Sequence, residues 1–231
     1  MSNLFGPALR TGVPPIVKRK AYFAFHFDDI MRVNVVRNAW KIDRPESPLM
    51  RSFYDSSLWE RKQIEGDDAV KRLIREGVGY TSAVCVLAGS ETWLRRWVKY
   101  EIARAVIDER GLLTVHINSI RHHQTLRADP TGTNPLEGMA VGKVQETLLS
   151  PVRYYIFERN AVSDGMGGYK WSWDRYKDYT DPVKRPPWLP DCAPDYVMPL
   201  NNGSTVYDYV AHNGHKNIGG WIDAAARAAG R

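Results

Sequence analysis

The fold of this chain is constrained most by SAVCVLA (residues 82–88), in which six consecutive apolar residues follow a serine. A short apolar run of this kind, followed by a glycine, is typical of a strand buried on both faces of a sheet. AYFAFHF (residues 21–27) and LLTVHIN (residues 112–118) have the same character. We therefore expect three buried strands in the first half of the chain.

Helical patterns separate these strands. IMRVNVVRNAW follows the first strand, AVKRLIREG precedes the second, and GSETWLRRWVKYEIARAVIDERG joins the second to the third. We predict N-caps at Asp28 and Asp29 and at Ser90, and helix ends at Gly77 and Gly111. Strands that alternate with helices at short spacing predict parallel strands with crossover helices, and hence an open doubly wound α/β sheet. A weaker strand candidate surrounds residues 52–55.

The second half of the chain has a weaker pattern. Residues 121–142 read as a loop rich in turn residues, whereas VRYYIFE and YKWSWDRY predict a β-hairpin with an aromatic face. PVKRPPWLPDCAP predicts a surface strap, and STVYDYVA and IGGWIDAAARAA predict two short terminal helices. We expect a flexible arm at residues 1–19, an α/β domain at 20–158, and an extension at 159–231 that packs on the same domain.

Composition disfavours several classes of protein. The net charge of +6 is spread along the chain, so a nucleic-acid binder ranks last among the functions considered. The sequence has no run of 18 or more apolar residues, so we expect no membrane span. The two cysteines, Cys85 and Cys192, are too few for a disulfide framework and favour a reducing cytoplasm. His122 and His123 are adjacent, which suits joint metal binding poorly, and we expect no metal site.

Two loops are candidate ligand sites, because open α/β sheets bind ligands beyond the carboxyl ends of their strands. One is residues 26–29 after the first strand. The other is residues 88–92, where Ser90 lies in a turn before a helix whose free backbone N–H groups would favour a phosphate. GxSxG, Walker A, HExxH and GxGxxG motifs do not occur in the sequence, which disfavours the enzyme classes that use them.

The helix after the second strand carries a candidate carboxylate. Its predicted apolar stripe consists of four residues: Leu94, Val98, Ile102 and Ala105. Trp97 and Glu101 lie on the flank of this stripe, so Glu101 points toward the sheet edge, where partial burial would raise its pKa. Two alternatives remain open at this point: Glu101 pairs with Arg104 or Arg37, and Trp97 only packs in the core.

The first helix offers a polar cluster. Arg32, Asn34, Arg37 and Asn38 lie on its polar side, and arginine with asparagine suits the recognition of phosphate and ribose. A solvated helix surface explains the same residues equally well.

Several segments resemble, in order and spacing, the TIR-like proteins of the bacterial Thoeris antiphage system, the ThsB family. They are YFAFHFDD, RVNVVRNAW, DSSLWE, LIREGVGYTSAVCVLAGSETWLRRWVKYEI and LLTVHIN. RRWVKYEI is the most specific, because it is also similar to the W-V-x-x-E segment of TIR NAD hydrolases. A weaker similarity continues in YKWSWDRYKDY and VYDYVAHNGHKNIGGWI.

The resemblance implies a flavodoxin-like TIR fold in which Glu101 is catalytic. It implies NAD as substrate, with no further cofactor, and an ADP-ribose product, cyclised or transferred, that a separate effector protein reads after a phage trigger. His26, Phe27 and Asp28 would border the nucleotide, and Trp97 the nicotinamide. This first loop is acidic where many TIR enzymes are basic, so Arg32 or Arg37 would supply the phosphate contacts.

The family also implies self-assembly into a homo-oligomer or a trigger-induced multimer. A different class of function stays open at this point: a TIR-like scaffold that binds partners without chemistry. The scaffold predicts that Glu101 is dispensable and that NAD is never consumed.

Overall fold

In the part of the chain that the computed structural model describes, a sheet of four parallel strands lies at the centre. Its strands, in the order β1-β2-β3-β8, are β1 (Ala21–Phe25), β2 (Ala83–Ala88), β3 (Gly111–His116) and β8 (Thr205–Asp208). The structure describes residues 19–43, 65–147, 149–163, 165 and 168–231. The three strands that the sequence predicted are confirmed as β1, β2 and β3, and so is their parallel arrangement.

Helices cover both faces of this sheet. They are α1 (Ile30–Asp43), α2 (Asp67–Gly79), α3 (Arg96–Ile107) and α4 (Gly214–Ala228). Val33 and Val36 of α1 share one core with Ile218 and Ile222 of α4. The apolar residues of α2 and α3 form a second core on the opposite face. This is the doubly wound α/β arrangement of the flavodoxin-like fold, as the sequence predicted.

A second, antiparallel sheet packs on the face that carries α2 and α3. Its strands, in the order β6-β5-β4-β7, are β4 (Met139–Val144), β5 (Arg153–Ser163), β6 (Tyr169–Arg175) and β7 (Tyr196–Pro199). Met139, Val141 and Ile156 contribute to the same core as Val98 and Ile102. The predicted hairpin is β5 and β6, whereas β4 and β7 were not predicted.

STVYDYVA is the clearest error in the sequence-based prediction. We expected a helix, but Thr205–Asp208 forms β8, which pairs in parallel with β3. Its threonine, valine and tyrosine suit a strand once a partner strand is available, and that partner is remote in sequence. The second terminal helix is confirmed as α4, although it begins earlier, at Gly214.

Three predicted helix boundaries are also wrong. The helix α2 runs past Gly77, which is buried inside it, and ends at Gly79. Ser90 does not cap α3, because a 3-10 turn at Thr92–Leu94 intervenes and α3 begins at Arg96. Leu94 consequently leaves the predicted apolar stripe and is exposed. The third is the predicted helix end at Gly111, because α3 already ends at Ile107 and Gly111 begins β3. Asp28 and Asp29 lie in a 3-10 turn directly before α1.

Other predictions concern residues outside the described part of the chain. The strand candidate at 52–55 and the segment DSSLWE lie there, as do residues 1–18 of the predicted arm. The extension contributes β8 and α4 to the parallel sheet layer, and the division at residue 158 stays a prediction. No helix in the described ranges is long and apolar enough to cross a bilayer.

Candidate functional site

Glu101 lies inside the protein, in the middle of α3. Its relative exposure is 6%, and its Oε1 accepts a 2.6 Å hydrogen bond from the hydroxyl of Tyr22. Tyr22 is on β1, and its side chain belongs to the core between the parallel sheet and α3. The helix period that buries Val98, Ile102 and Ala105 also brings Glu101 onto this inner side. The predicted flank position is therefore a buried one.

Burial gives Glu101 an unusual acidity. Loss of water around the carboxyl raises its pKa from the usual 4.5 to about 8, and the hydrogen bond from Tyr22 lowers it only in part. The ion pair that we considered with Arg104 or Arg37 is replaced by other contacts. Arg104 Nε binds Asp108 Oδ2 at 2.9 Å, and Arg37 Nη1 donates to Asn34 Oδ1 at 3.3 Å. Within the described residues a phenol holds this buried carboxyl, and a buried carboxyl with a raised pKa is a candidate for chemistry.

Trp97 lies one turn before Glu101 and is partly buried against the same core. Its ring meets that of Tyr100 edge to face, with 6.2 Å between the centroids. The guanidinium of Arg96 lies over the Trp97 ring at 4.8 Å. Packing and a cation–π contact thus account for its position, and the predicted contact with nicotinamide stays a prediction.

A second polar group lies at the carboxyl ends of β1, β2 and β3. Arg32, with 5% exposure, hydrogen-bonds Asp29 Oδ1 at 3.3 Å and the carbonyl oxygen of Ile120 at 2.9 Å. Its Nη2 lies 2.7 Å from Oδ2 of Asp129. The Asp29 carboxylate lies so close to Gly89 that a Cβ there would collide with it. Arg32 therefore joins the first turn of α1 to the segment that follows β3.

The other predicted binding residues are spread around this edge. His26 Nε2 lies 3.7 Å from Asp28 Oδ2, and Phe27 and Asp28 are exposed. The Ser90 hydroxyl accepts a hydrogen bond from Asn118 Nδ2 at 3.0 Å.

The N–H of Gly89 is less free than we expected, because it donates to Thr92 Oγ1 at 2.9 Å. Asn34 and Arg37 pair with each other on α1, beyond this edge. Their proposed roles in binding stay predictions.

The predicted residues thus fall into two places. Glu101 and Trp97 lie on the face that α3 covers, whereas Arg32 and Ser90 lie at the carboxyl edge. Sequence reasoning missed Tyr22, which precedes Glu101 by 79 positions, and it missed the acidic partners of Arg32. Only the tendency of buried polar groups to be hydrogen-bonded signalled that Glu101 needed a partner. Across the described residues, no group of three or more His, Cys, Asp or Glu side chains is arranged to hold a metal ion.

Comparison with known proteins decides the family. The family model "Thoeris protein ThsB, TIR-like domain" matches residues 22–122, the span that contains both Tyr22 and Glu101. A protein of Bacillus cereus (strain MSX-D12) named "Putative cyclic ADP-D-ribose synthase ThsB1" is 30% identical over 210 residues, which are 89% of this chain and 99% of that protein. The chain belongs to the ThsB family of TIR-like proteins. The resemblance inferred from the sequence is thereby confirmed.

The two matches differ in extent. The match to the TIR-like domain of ThsB ends shortly after β3, so the antiparallel sheet, β8 and α4 lie beyond it. The similarity to the Bacillus cereus protein covers most of the chain. The similarity therefore extends into the C-terminal half of the chain, beyond the part that the family model matches.

Proposed function

We propose that this ThsB-family protein cleaves NAD at the nicotinamide–ribose bond and closes the ADP-ribose part into a cyclic nucleotide. The observation that carries this proposal is the buried carboxyl of Glu101, held by Tyr22 at 2.6 Å. The name of the Bacillus cereus relative, a cyclic ADP-D-ribose synthase, supports the product class.

The first step breaks the bond between the ribose C1′ and the nicotinamide nitrogen. The bonding electron pair leaves with nicotinamide, which departs neutral, and positive charge develops on the ribose, as in glycoside cleavage. A carboxylate beside the sugar stabilises that charge and orients the ribose hydroxyls. The leaving group needs no proton, so one carboxylate suffices. In this reaction NAD is the substrate, and no further cofactor takes part.

The second step transfers the ribose to a nucleophile. A nucleophilic group of the same substrate bonds to C1′ and releases one proton, which gives the cyclic product. Water in its place gives linear ADP-ribose and also releases one proton. In antiphage defence the cyclic product then carries the signal to a separate effector protein.

The burial of Glu101 has a consequence for this reaction. With 6% exposure, the carboxyl meets a sugar only after the side chains that cover it move apart. Turnover therefore requires an opening motion, and we expect the resting protein to cleave NAD slowly. Self-assembly or a phage trigger would supply the change, so activity is best measured in challenged cells as well as in purified protein.

The test is mass spectrometry of nucleotides from phage-challenged cells and from purified protein incubated with NAD. We expect the wild type to release nicotinamide and form a cyclic product, and Glu101→Gln to release none while keeping its circular dichroism spectrum. Glu76→Gln is the matched control, since Glu76 is exposed on α2. Wild-type turnover by Glu101→Gln would refute the role of Glu101. NAD that is never consumed would favour the scaffold.

A further inference from the structure

Residues 121–134 form a loop that lies across the carboxyl end of the parallel sheet. The backbone N–H of Asp129 donates to the Asn118 carbonyl at 3.0 Å, and that of Gly132 donates to Asn118 Oδ1 at 3.4 Å. Gly132 packs against the carbonyl of Gly89 so closely that no Cβ would fit there. The loop is therefore fastened directly on the turn that follows β2.

This turn lies between two helices that cover opposite faces of the sheet. The helix after β1, α1, covers one face, and the helix after β2, α3, covers the other. The crevice between two such strand ends is the usual ligand site of open α/β sheets. Here the Asp29 carboxylate and Gly132 of the loop both lie against Gly89, beside this crevice.

The negative charge beside Arg32 exceeds the single positive charge of its guanidinium. Two carboxylates share this one guanidinium: Asp29, which is 10% exposed, and Asp129, which is 42% exposed. Burial raises the pKa of Asp29, and the nearby charge of Asp129 raises it further, although Arg32 opposes both effects. Asp29 is wedged against Gly89, so Asp129 is the acid that can leave.

The contact with Asp129 is also incomplete. Although Arg32 Nη2 lies 2.7 Å from Asp129 Oδ2, the pair lacks the angles of a hydrogen bond. Within the described ranges this buried nitrogen has no hydrogen-bond partner. A phosphate oxygen with better geometry is among the best partners of such a buried guanidinium nitrogen.

We propose that Asp129 is an internal competitor for Arg32, and that the diphosphate of the dinucleotide displaces it and lifts the 121–134 loop from the Gly89–Ser90 turn. This inference rests on the proposed function, because it assigns the diphosphate of NAD to Arg32. No covalent step is involved. The carboxylate moves into solvent, which its present exposure already permits, and phosphate oxygens take its place at Nη2.

The first test is the affinity of the purified full chain for ADP-ribose, which carries the diphosphate and is not consumed. Asp129→Asn is expected to bind ADP-ribose about threefold to tenfold more tightly, because less of the protein is held in the closed form. Asp181→Asn makes the same change of charge at an exposed carboxylate and is expected to match the wild type. Inorganic pyrophosphate is expected to compete with ADP-ribose.

The second test follows the loop itself. Arg121 and Arg127 are exposed in it, so trypsin cleavage after these residues reports its release. We expect faster cleavage in Asp129→Asn, and in the wild type when ADP-ribose is present. Gly132→Ala, which crowds the Gly89 carbonyl without changing any charge, is expected to loosen the loop and tighten binding in the same way.

The outcomes separate this inference from the proposed function. Equal ADP-ribose affinity in Asp129→Asn and Asp181→Asn would overturn the inference even if NAD is cleaved. Tighter ADP-ribose binding by Asp129→Asn in a protein that never consumes NAD would support the inference and refute the proposed function.

Discussion

The hydroxyl of Tyr22 lies 2.6 Å from Oε1 of Glu101 and links β1 to α3 across the core. Both side chains are more than nine-tenths buried. The bond satisfies one carboxyl oxygen and favours the ionised form, while the surrounding core disfavours it. Tyr22 is therefore a positioning residue for Glu101, which fixes the carboxyl and sets how readily it loses its proton.

The pH dependence of NAD cleavage is the first prediction. The proposed mechanism uses ionised Glu101, whose pKa burial raises to about 8. We expect kcat/KM to increase with pH and to reach half of its maximum near pH 8 in the free protein. Initial rates of nicotinamide release between pH 6 and 9 measure this. A flat profile over that range would contradict the assigned role.

Removing the Tyr22 hydroxyl is the second prediction. Tyr22→Phe deletes the contact that lowers the pKa of Glu101, so the midpoint of kcat/KM should move to higher pH. At neutral pH the rate should fall by about threefold to tenfold, and it should recover in part at higher pH. Tyr176→Phe is a control in the same core, because its hydroxyl lies 3.4 Å from Asp178 and not at Glu101. A rate loss with an unmoved midpoint would assign Tyr22 a packing role only.

Stability against pH is the third prediction. The folded protein holds the Glu101 proton up to about pH 8, whereas the unfolded chain releases it near the usual value of 4.5. Between these two values the folded state binds more protons, so the free energy of unfolding falls as pH rises. Glu101→Gln removes this loss and should be more stable than the wild type at pH 8, by on the order of a few kcal/mol.

Thermal unfolding at several pH values measures this difference in stability. Glu76→Gln, which changes an exposed carboxylate, is expected to follow the wild-type curve. If the curves of wild type and Glu101→Gln stay parallel from pH 5 to 8, Glu101 does not hold a proton in the folded state.

The fourth prediction concerns Asp178, which joins α2 to α3. Its Oδ1 lies 2.7 Å from Lys71 Nζ and 3.2 Å from Arg96 Nη2. Burial would raise the pKa of Asp178, but the hydrogen bonds from Arg96 and Lys71 outweigh it, and the pKa is lowered. Asp178→Asn is expected to lower the free energy of unfolding at neutral pH by roughly 1–2 kcal/mol.

The sign of this effect with pH is opposite to that of Glu101. The stability contributed by Asp178 is present above the usual aspartate pKa and is lost as pH falls through the lowered value. Denaturant titrations should therefore give wild type and Asp178→Asn a difference that shrinks toward acid. Asp181→Asn, at an exposed position, should leave stability unchanged. A difference independent of pH would mean that the ion pairs contribute nothing.

Local sequence was a good guide where one element buries a complete face. SAVCVLA predicted β2, because a strand in the middle of a parallel sheet is buried on both faces and takes apolar residues in succession. It was a poor guide for STVYDYVA, whose pattern in β8 makes sense only beside β3. It also missed β4, which begins inside the predicted loop of residues 121–142, and β7, which pairs with β4 from a remote part of the chain.

The sequence alone determined that Glu101 lies at the margin of an apolar helix face, since helical periodicity depends on residues only a few positions apart. The tertiary structure decided what that carboxyl meets, because Tyr22 and Asp129 reach Glu101 and Arg32 through the packing of elements remote in sequence. Periodicity reports which side of an element avoids water. The choice of a polar partner depends on distances that only the folded chain sets.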